Sequence, residues 1–192
     1  MPKLYFYHGT MNSSKTANLL MVAHNYESQK KNVFIIKPYI DTRFGAVIIK
    51  SRALEKGVNA DYIISDTDDL TDINTENVNC IIVDEAQFLS AINVDGLRNL
   101  KRIVPVICYG LRTDYRGLLF EGSKRLLELA DSIQEIKTVC VNCDKKAIMN
   151  AKFCYDRETN IKHIIKYGDT KIDLGAEEKY QAMCWECWSE HE

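Results

Sequence analysis

Two short stretches of this sequence hold residue types that together handle phosphate. The first is Gly9-Thr10-Met11-Asn12-Ser13-Ser14-Lys15-Thr16, between an apolar run and a stretch with helical spacing. A strand, a short polar loop and a helix opening on Lys-Thr form a phosphate cradle. The first turn of a helix presents N–H groups without intrahelical partners and the positive end of the peptide dipoles. Lys15 adds a full charge that reaches the outer phosphates, and Thr16 offers a hydroxyl to a magnesium ion. The pattern G-x-x-x-x-G-K-[ST] is met except at Ser14, where the second glycine and its backbone freedom are lost. The plain alternative is a polar loop before a helix, with Asn12 or Ser13 as its N-cap.

The second stretch is the apolar run over residues 80–83, which ends in Asp84-Glu85-Ala86-Gln87-Phe88. An aspartate at the end of a buried strand faces the phosphates and holds magnesium, usually through water. The adjacent Glu85 can serve as a base. Two acids in a solvated loop would read the same locally. The upstream cradle argues for a site, because Asp84 and Lys15 then lie at the same end of one parallel sheet. Arg43 and Arg52 can reach phosphates, with solvated surface arginine as the alternative for each.

Seven cysteines complete the chemistry-bearing set. Cys80, Cys108 and Cys154 are scattered, whereas Cys140-x-x-Cys143 and Cys184-x-x-Cys187 are paired across residues 144–183. In a reducing compartment such pairs read as metal before disulfide. Each pair bends a tight knuckle, and four thiolates satisfy tetrahedral zinc. A redox dithiol and buried free thiols are the alternatives.

The elements that must position these residues follow from hydrophobic periodicity. Strands are expected over residues 3–7, 33–37, 62–65, 80–83, 103–109 and 132–139. Helices are expected from the cradle to about residue 31, over 89–101 with Leu89, Ile92, Leu97 and Leu100 facing inward, and over 123–130. Pro38 ends the second strand. The acid-rich stretch 66–79 reads as a surface helix and loop. The opening βαβ unit implies a parallel sheet. After Cys143 the pattern changes to short strands, with a hairpin around Glu158-Thr159-Asn160. That lobe is too small to carry its own core, so a metal staple is physically reasonable.

Composition narrows the class. The 192 residues are 46% hydrophobic and 27% charged, with a formal net charge of −2. These are the proportions of a globular protein, and the charge gives no reason to expect a general nucleic-acid binder. No apolar run approaches the roughly 20 residues that span a bilayer. Met1-Pro2-Lys3 leads straight into a strand, so no signal peptide is expected and the cytoplasm is the expected location.

Taken together, the motifs resemble the cytosolic-type thymidine kinases, the zinc-containing class, over nearly the whole chain. The resemblance rests on the Gly9–Thr16 loop, Asp41-Thr42-Arg43, Asp84-Glu85-x-Gln87-Phe88, Gly110-Leu111, Phe120-Glu121-Gly122-Ser123, both C-x-x-C pairs and Lys179-Tyr180. It implies an α/β fold, a P-loop NTPase-like parallel sheet flanked by helices over residues 1–139. A small zinc-binding lasso domain would follow over residues 140–192. It implies ATP held by Gly9, Thr10, Met11, Asn12, Ser13, Ser14, Lys15 and Thr16 with Asp84 and Gln87, magnesium served by Thr16 and Asp84, and Glu85 as general base. Arg43 is the candidate for neutralising phosphate charge. Met11, Phe88, Leu111, Tyr115, Phe120 and Tyr180 would enclose thymine, with backbone contacts near Leu174 and Gly175 in the lasso. Cys140, Cys143, Cys184 and Cys187 would hold zinc.

The expected activity is ATP-dependent phosphorylation of the 5′-hydroxyl of thymidine, with deoxyuridine as a second substrate. dTTP as feedback inhibitor and a homotetramer are further implications. This sequence departs from the family pattern at Ser14, at Tyr115 (where phenylalanine is common) and at Asp173, Glu177 and Glu178 in the lasso. Ser14 motivates the alternative, a non-catalytic or weakly active nucleotide-binding relative. A zinc-ribbon nucleic-acid ATPase is the third reading, and it would need a basic face that the composition does not offer.

Overall fold

In a computed structural model of the chain, residues 1–43, 45–51, 54, 57–71, 73–156, 158–159, 162–168 and 179–190 are described. Six strands form one parallel sheet: β1 (Leu4–His8), β2 (Val33–Pro38), β5 (Tyr62–Ile64), β6 (Cys80–Val83), β7 (Val106–Gly110) and β8 (Ser132–Glu135). Their spatial order is β5-β2-β6-β7-β1-β8. A two-stranded antiparallel ribbon, β3 (Ile48–Ile49) and β4 (Val58–Asn59), projects between β2 and β5 in the chain. The helices are α1 (Lys15–Ser28), α2 (Ala91–Leu100) and α3 (Glu121–Leu129).

The central strands are apolar on both faces because both faces are covered, as a parallel sheet requires. Successive residues point to opposite sides. Leu4, Phe6, Ile36, Ile81, Val83, Val106 and Cys108 pack with Val94, Leu97 and Leu126 of α2 and α3. Ile35, Cys80, Ile82 and Tyr109 pack on the other face with Leu19, Leu20 and Ala23 of α1. The sheet therefore aims the carboxyl ends of β1, β2, β6 and β7 at one rim, where the loops of interest emerge.

Several local expectations are corrected. Among the described residues, 66–79 hold turns and no helix. Asp69 and Asn74 each accept from a backbone N–H two residues on, closing Asx turns that compete with helix. Ile92 faces solvent, and Val94 takes the inward position in α2. The helix starts after a capping box in which Ser90 and Asn93 exchange side-chain-to-backbone bonds. Ile103 is exposed, and β7 begins only at Val106, after Pro105.

The C-terminal part forms a separate antiparallel sheet, β10-β9-β11, from β9 (Met149–Tyr155), β10 (Lys162–Ile165) and β11 (Tyr180–Met183). The short helix α4 (Trp185–Ser189) follows. The expected hairpin is β9–β10; Asn160 at its turn lies outside the described residues, as do Arg52, Asp173, Leu174, Gly175, Glu177 and Glu178. The expectation that this lobe carries no core is corrected: Cys140, Met149, Ala151, Phe153, Met183, Cys184 and Trp188 pack into a small one, with two of the paired cysteines inside it. Among the described residues, no helix is long and apolar enough to cross a membrane.

Candidate active site

The loop between β1 and α1 turns back on itself tightly. Gly9 donates to the carbonyl of Gly110 at 3.3 Å, which ties the loop to the end of β7. A Cβ at Gly9 would lie 2.4 Å from Ser13 Oγ and 2.5 Å from the carbonyl oxygen of Ile136, so this position must be glycine. Asn12 and Ser14 are both left-handed, at φ 61° and 63°. Ser14 thus adopts the conformation for which glycine is usually kept. It is also the N-cap of α1, a position that the plain-loop alternative gave to Asn12 or Ser13, and its side chain makes no capping bond.

Left-handed backbone costs a residue with a Cβ about 1–2 kcal/mol. Adding a glycine costs about 0.4–1 kcal/mol through the unfolded chain. Ser14→Gly is therefore expected to raise the unfolding free energy by up to about 1 kcal/mol, read from the urea midpoint at constant m-value.

Two hydroxyls of this loop, Thr10 Oγ1 and Ser13 Oγ, are buried without a partner among the described residues. Buried polar groups are rarely left so, and a phosphate oxygen is the acceptor that would satisfy them. Lys15 is buried, and its Nζ donates to the Thr10 carbonyl at 2.8 Å. Burial pulls its pKa down to about 8, against the opposing pull of Glu85 and Asp84. Its ammonium is thus held within the loop and out of bulk water.

Asp84 and Glu85 follow β6 directly. Thr16 Oγ1 stands 3.4 Å from both Asp84 carboxylate oxygens, too long for a strong bond and open to an ion between them. Burial, then the neighbouring Glu85 carboxylate, pushes Asp84 up to about 7, with Arg43 pulling the other way. A carboxylate under that strain is a fit for a divalent cation. The sign of the pH effect follows. The folded state favours neutral Asp84, so the penalty for its charge is absent below the ordinary value of 3.8 and complete above about 7. Without magnesium, Asp84→Asn is expected to stabilise the protein by about 1 kcal/mol or more at pH 8 and not at pH 3.5. Melting curves at the two pH values test this; equal shifts at both would remove the charge penalty as its cause.

Glu85 takes a left-handed conformation, φ 49° and ψ 40°, that turns its carboxylate back into the site. Arg43 Nη2 donates to Glu85 Oε1. Gln87 Nε2 donates to Glu85 Oε2 at 2.5 Å, and Gln87 Oε1 accepts from the Leu111 N–H at 2.9 Å. Arg43 Nε also donates to Asp41 Oδ1 at 2.7 Å. Burial works against the Arg43 charge, but Glu85 and Asp41 overcome it and hold its pKa above the ordinary value. Behind Asp41 stands Lys37, fully buried, 3.5 Å from Asp41 and donating to the carbonyls of Gly45 and Ile48. This relay, Lys37–Asp41–Arg43–Glu85–Gln87–Leu111, links β2, β6 and β7. Sequence reading treated Lys37 only as a strand residue; a lysine inside an apolar run was the available signal.

The expected nucleoside contacts lie along the same rim. Phe88 meets Phe120 edge-on, with ring centroids 5.9 Å apart at 76°. Leu111 is buried, and its carbonyl accepts from Ser123 Oγ at 2.5 Å. Tyr115 is 1% exposed, with Lys152 Nζ 5.0 Å and Arg116 Cζ 5.6 Å from its ring centroid. Tyr180, also buried, is the cross-strand partner of Lys152. Arg116 Nη1 donates to the Gly168 carbonyl at 2.7 Å, tying the β7–α3 loop to the C-terminal lobe. The Met11 N–H donates to Asn150 Oδ1 at 2.7 Å, a contact that sequence reading missed.

The four paired cysteines converge, with all sulfurs within 4.8 Å of one another. Cys143 Sγ lies 3.6 Å from Cys184 Sγ and 3.7 Å from Cys187 Sγ. Tetrahedral zinc with 2.3 Å bonds separates its sulfurs by roughly 3.8 Å, whereas a disulfide needs about 2.05 Å. The arrangement fits zinc. The N–H groups of Asn142 and Cys187 each point at a sulfur from 3.4 Å, as knuckle amides do. Neighbouring thiols, Cys184 and Cys143 foremost, push Cys187 up to about 12; four thiolates need a cation to coexist. Cys80 and Cys108 are core residues, and Cys154 is exposed on β9.

Comparison with known proteins gives one consistent result. The sequence model of the family described as thymidine kinase matches residues 2–188. The chain is 43% identical over 188 residues to the thymidine kinase of Streptococcus gordonii, covering 96% of this chain and 94% of the relative. It is 44% identical to that of Streptococcus pyogenes serotype M1, over 96% and 95% of the two chains. The thymidine kinase of Rhodopirellula baltica is 38% identical over 96% of this chain and 86% of its own length.

Proposed function

The chain belongs to the thymidine kinase family and is an enzyme of that type, and from that premise we propose that it transfers the γ-phosphate of ATP to the 5′-hydroxyl of thymidine, and of deoxyuridine as a second substrate. The observation that carries this reading is the meeting of the Lys15 loop with Asp84 and Glu85 at one rim of the sheet. The orphaned hydroxyls of Thr10 and Ser13 support phosphate as the occupant.

In the proposed reaction Glu85 accepts the proton of the 5′-hydroxyl. The nucleoside oxygen forms a bond to the γ-phosphorus as the bond to the β–γ bridging oxygen breaks, and ADP leaves with that electron pair. Residues 9–16 orient the phosphates, and Lys15 neutralises their charge. Thr16 and Asp84 would hold magnesium, whose charge would screen the phosphate oxygens. Arg43 leaves Glu85 for the transferring phosphoryl group, which frees the carboxylate to act as base. Gln87 fixes Glu85 relative to Leu111 and so relates the base to the nucleoside pocket. Met11, Phe88, Leu111, Tyr115, Phe120 and Tyr180 enclose the pyrimidine, with Leu174 and Gly175 adding backbone contacts. Zinc on the four cysteines staples residues 140–192 into a domain beside the 1–139 core.

A cytoplasmic homotetramer inhibited by dTTP, acting on nucleosides and not on nucleic acid or membranes, completes the proposal. Ser14 adopting glycine's conformation favours the active reading over a weakly active nucleotide-binding relative. ATP-to-ADP turnover with thymidine, deoxyuridine, deoxycytidine and no nucleoside tests it. Turnover with the first two alone is expected. Absence of turnover in a folded, zinc-loaded sample would overturn the proposal.

A further inference from the structure

β9 is a strand with two jobs, because alternate side chains point to opposite faces. Met149, Ala151 and Phe153 pack into the core around Cys140 and Cys184. Asn150 and Lys152, between them, face the other way, toward the phosphate loop and the Tyr115 ring. Asn150 is 3% exposed. Its Oδ1 accepts from the Met11 N–H at 2.7 Å, and its Nδ2 donates to the Thr113 carbonyl at 2.9 Å. Asparagine is disfavoured within strands, and a buried amide is tolerated only when its hydrogen bonds are made. Both bonds here leave the lobe and end on segments that the proposed function uses: the phosphate loop, and the loop carrying Leu111 and Tyr115.

We propose that Asn150 is a positioning residue through which the cysteine lobe fixes the phosphate loop, so that ATP affinity depends on a side chain of β9. The inference rests on the proposed ATP site. Met11 sits between Gly9, pinned to Gly110, and the left-handed Asn12. The bond from Asn150 holds the Met11 amide against the lobe and leaves the following loop atoms turned toward the phosphates. The bond to Thr113 sets the spacing between that loop and the β7–α3 loop. Without Asn150, the part-buried Met11 N–H loses its acceptor, and the phosphate loop loses this tie to β9.

The test is ATP binding by calorimetry on the zinc-loaded parent, Asn150→Leu and Asn150→Ala, with melting temperature, zinc content and steady-state kinetics on each. Leucine keeps the volume and removes both bonds; alanine carries the comparison if leucine does not fold. The expected result is ATP binding weakened about tenfold, with zinc content unchanged and the KM for ATP and for thymidine rising by larger factors than kcat falls. A lower melting temperature with ATP affinity within twofold of the parent would make Asn150 purely structural and overturn the inference. A parent that binds no ATP would instead overturn the proposed function itself.

Discussion

Glu85→Gln is expected to lower kcat by about 10²–10⁴-fold, because an amide cannot accept the 5′-hydroxyl proton. The site also predicts how the loss will be distributed. Glu85 accepts from Arg43 on one oxygen and from Gln87 on the other. A glutamine can still accept from Arg43, but its NH₂ then faces that of Gln87. Gln87 cannot flip to relieve this without abandoning the Leu111 N–H, which it holds through Oε1. One of the two bonds must fail, and in either case Leu111 loses its fixed relation to position 85. Thymidine KM should therefore rise several-fold while ATP affinity, set by the Lys15 loop, stays near the parent value. Coupled ADP release and ATP calorimetry on the same samples read both effects. Near-parent kcat would remove Glu85 as the base; a large loss of ATP affinity would mean that the relay, not proton transfer, is its main task.

The second large effect is expected at the cysteines. Among the described residues, two of the seven buried in the C-terminal core are Cys140 and Cys184 themselves, so little apolar packing remains if the metal is lost. Structural zinc contributes about 10–16 kcal/mol in small zinc modules, far beyond what such a core supplies. Cys143→Ser removes a sulfur that lies 3.6 Å and 3.7 Å from the two sulfurs of the second pair. Zinc should fall from about one equivalent to a small fraction, since serine is a poor ligand for this ion. The lobe should become protease-sensitive from residue 140 onward while the parallel sheet stays protected, because each has its own core. Thymidine binding should fall with it, as Tyr180 and the tie from Arg116 to Gly168 belong to the lobe. A variant that keeps zinc and its fold would show that three sulfurs suffice; a parent free of zinc under reducing conditions would dismiss the metal reading.

The parallel sheet was legible because its central strands, β2, β6 and β7, are largely apolar runs, and a strand covered on both faces leaves that signature regardless of its neighbours. The phosphate loop and Asp84-Glu85 were legible for a related reason. Chemistry on phosphate needs particular residue types at fixed distances along a loop, so the constraint is written in consecutive residues. The C-x-x-C knuckles are local in the same way. Of the surface helix and loop expected over 66–79, the helix failed because side-chain-to-backbone bonds at Asp69 and Asn74 outcompete it in an acid-rich stretch. Ile92 failed as a core residue because α2 begins at Ala91, after the Ser90 box, and turns Val94, Leu97 and Leu100 inward instead.

The sequence alone determined the class of chemistry: a loop with the pattern of a phosphate cradle, an acidic pair at the same sheet edge and two C-x-x-C pairs with the spacing of a zinc site. Tertiary structure alone decided how these parts are held. Lys37 and Asp41 brace Arg43, Gln87 spans from Glu85 to Leu111, and Asn150 reaches from the cysteine lobe to Met11. Each of these contacts joins residues from different elements, with Met11 and Asn150 separated by 139 positions. No local pattern records such a pairing, because it exists only once the sheet has brought the loop ends to one rim and both partners have been removed from water.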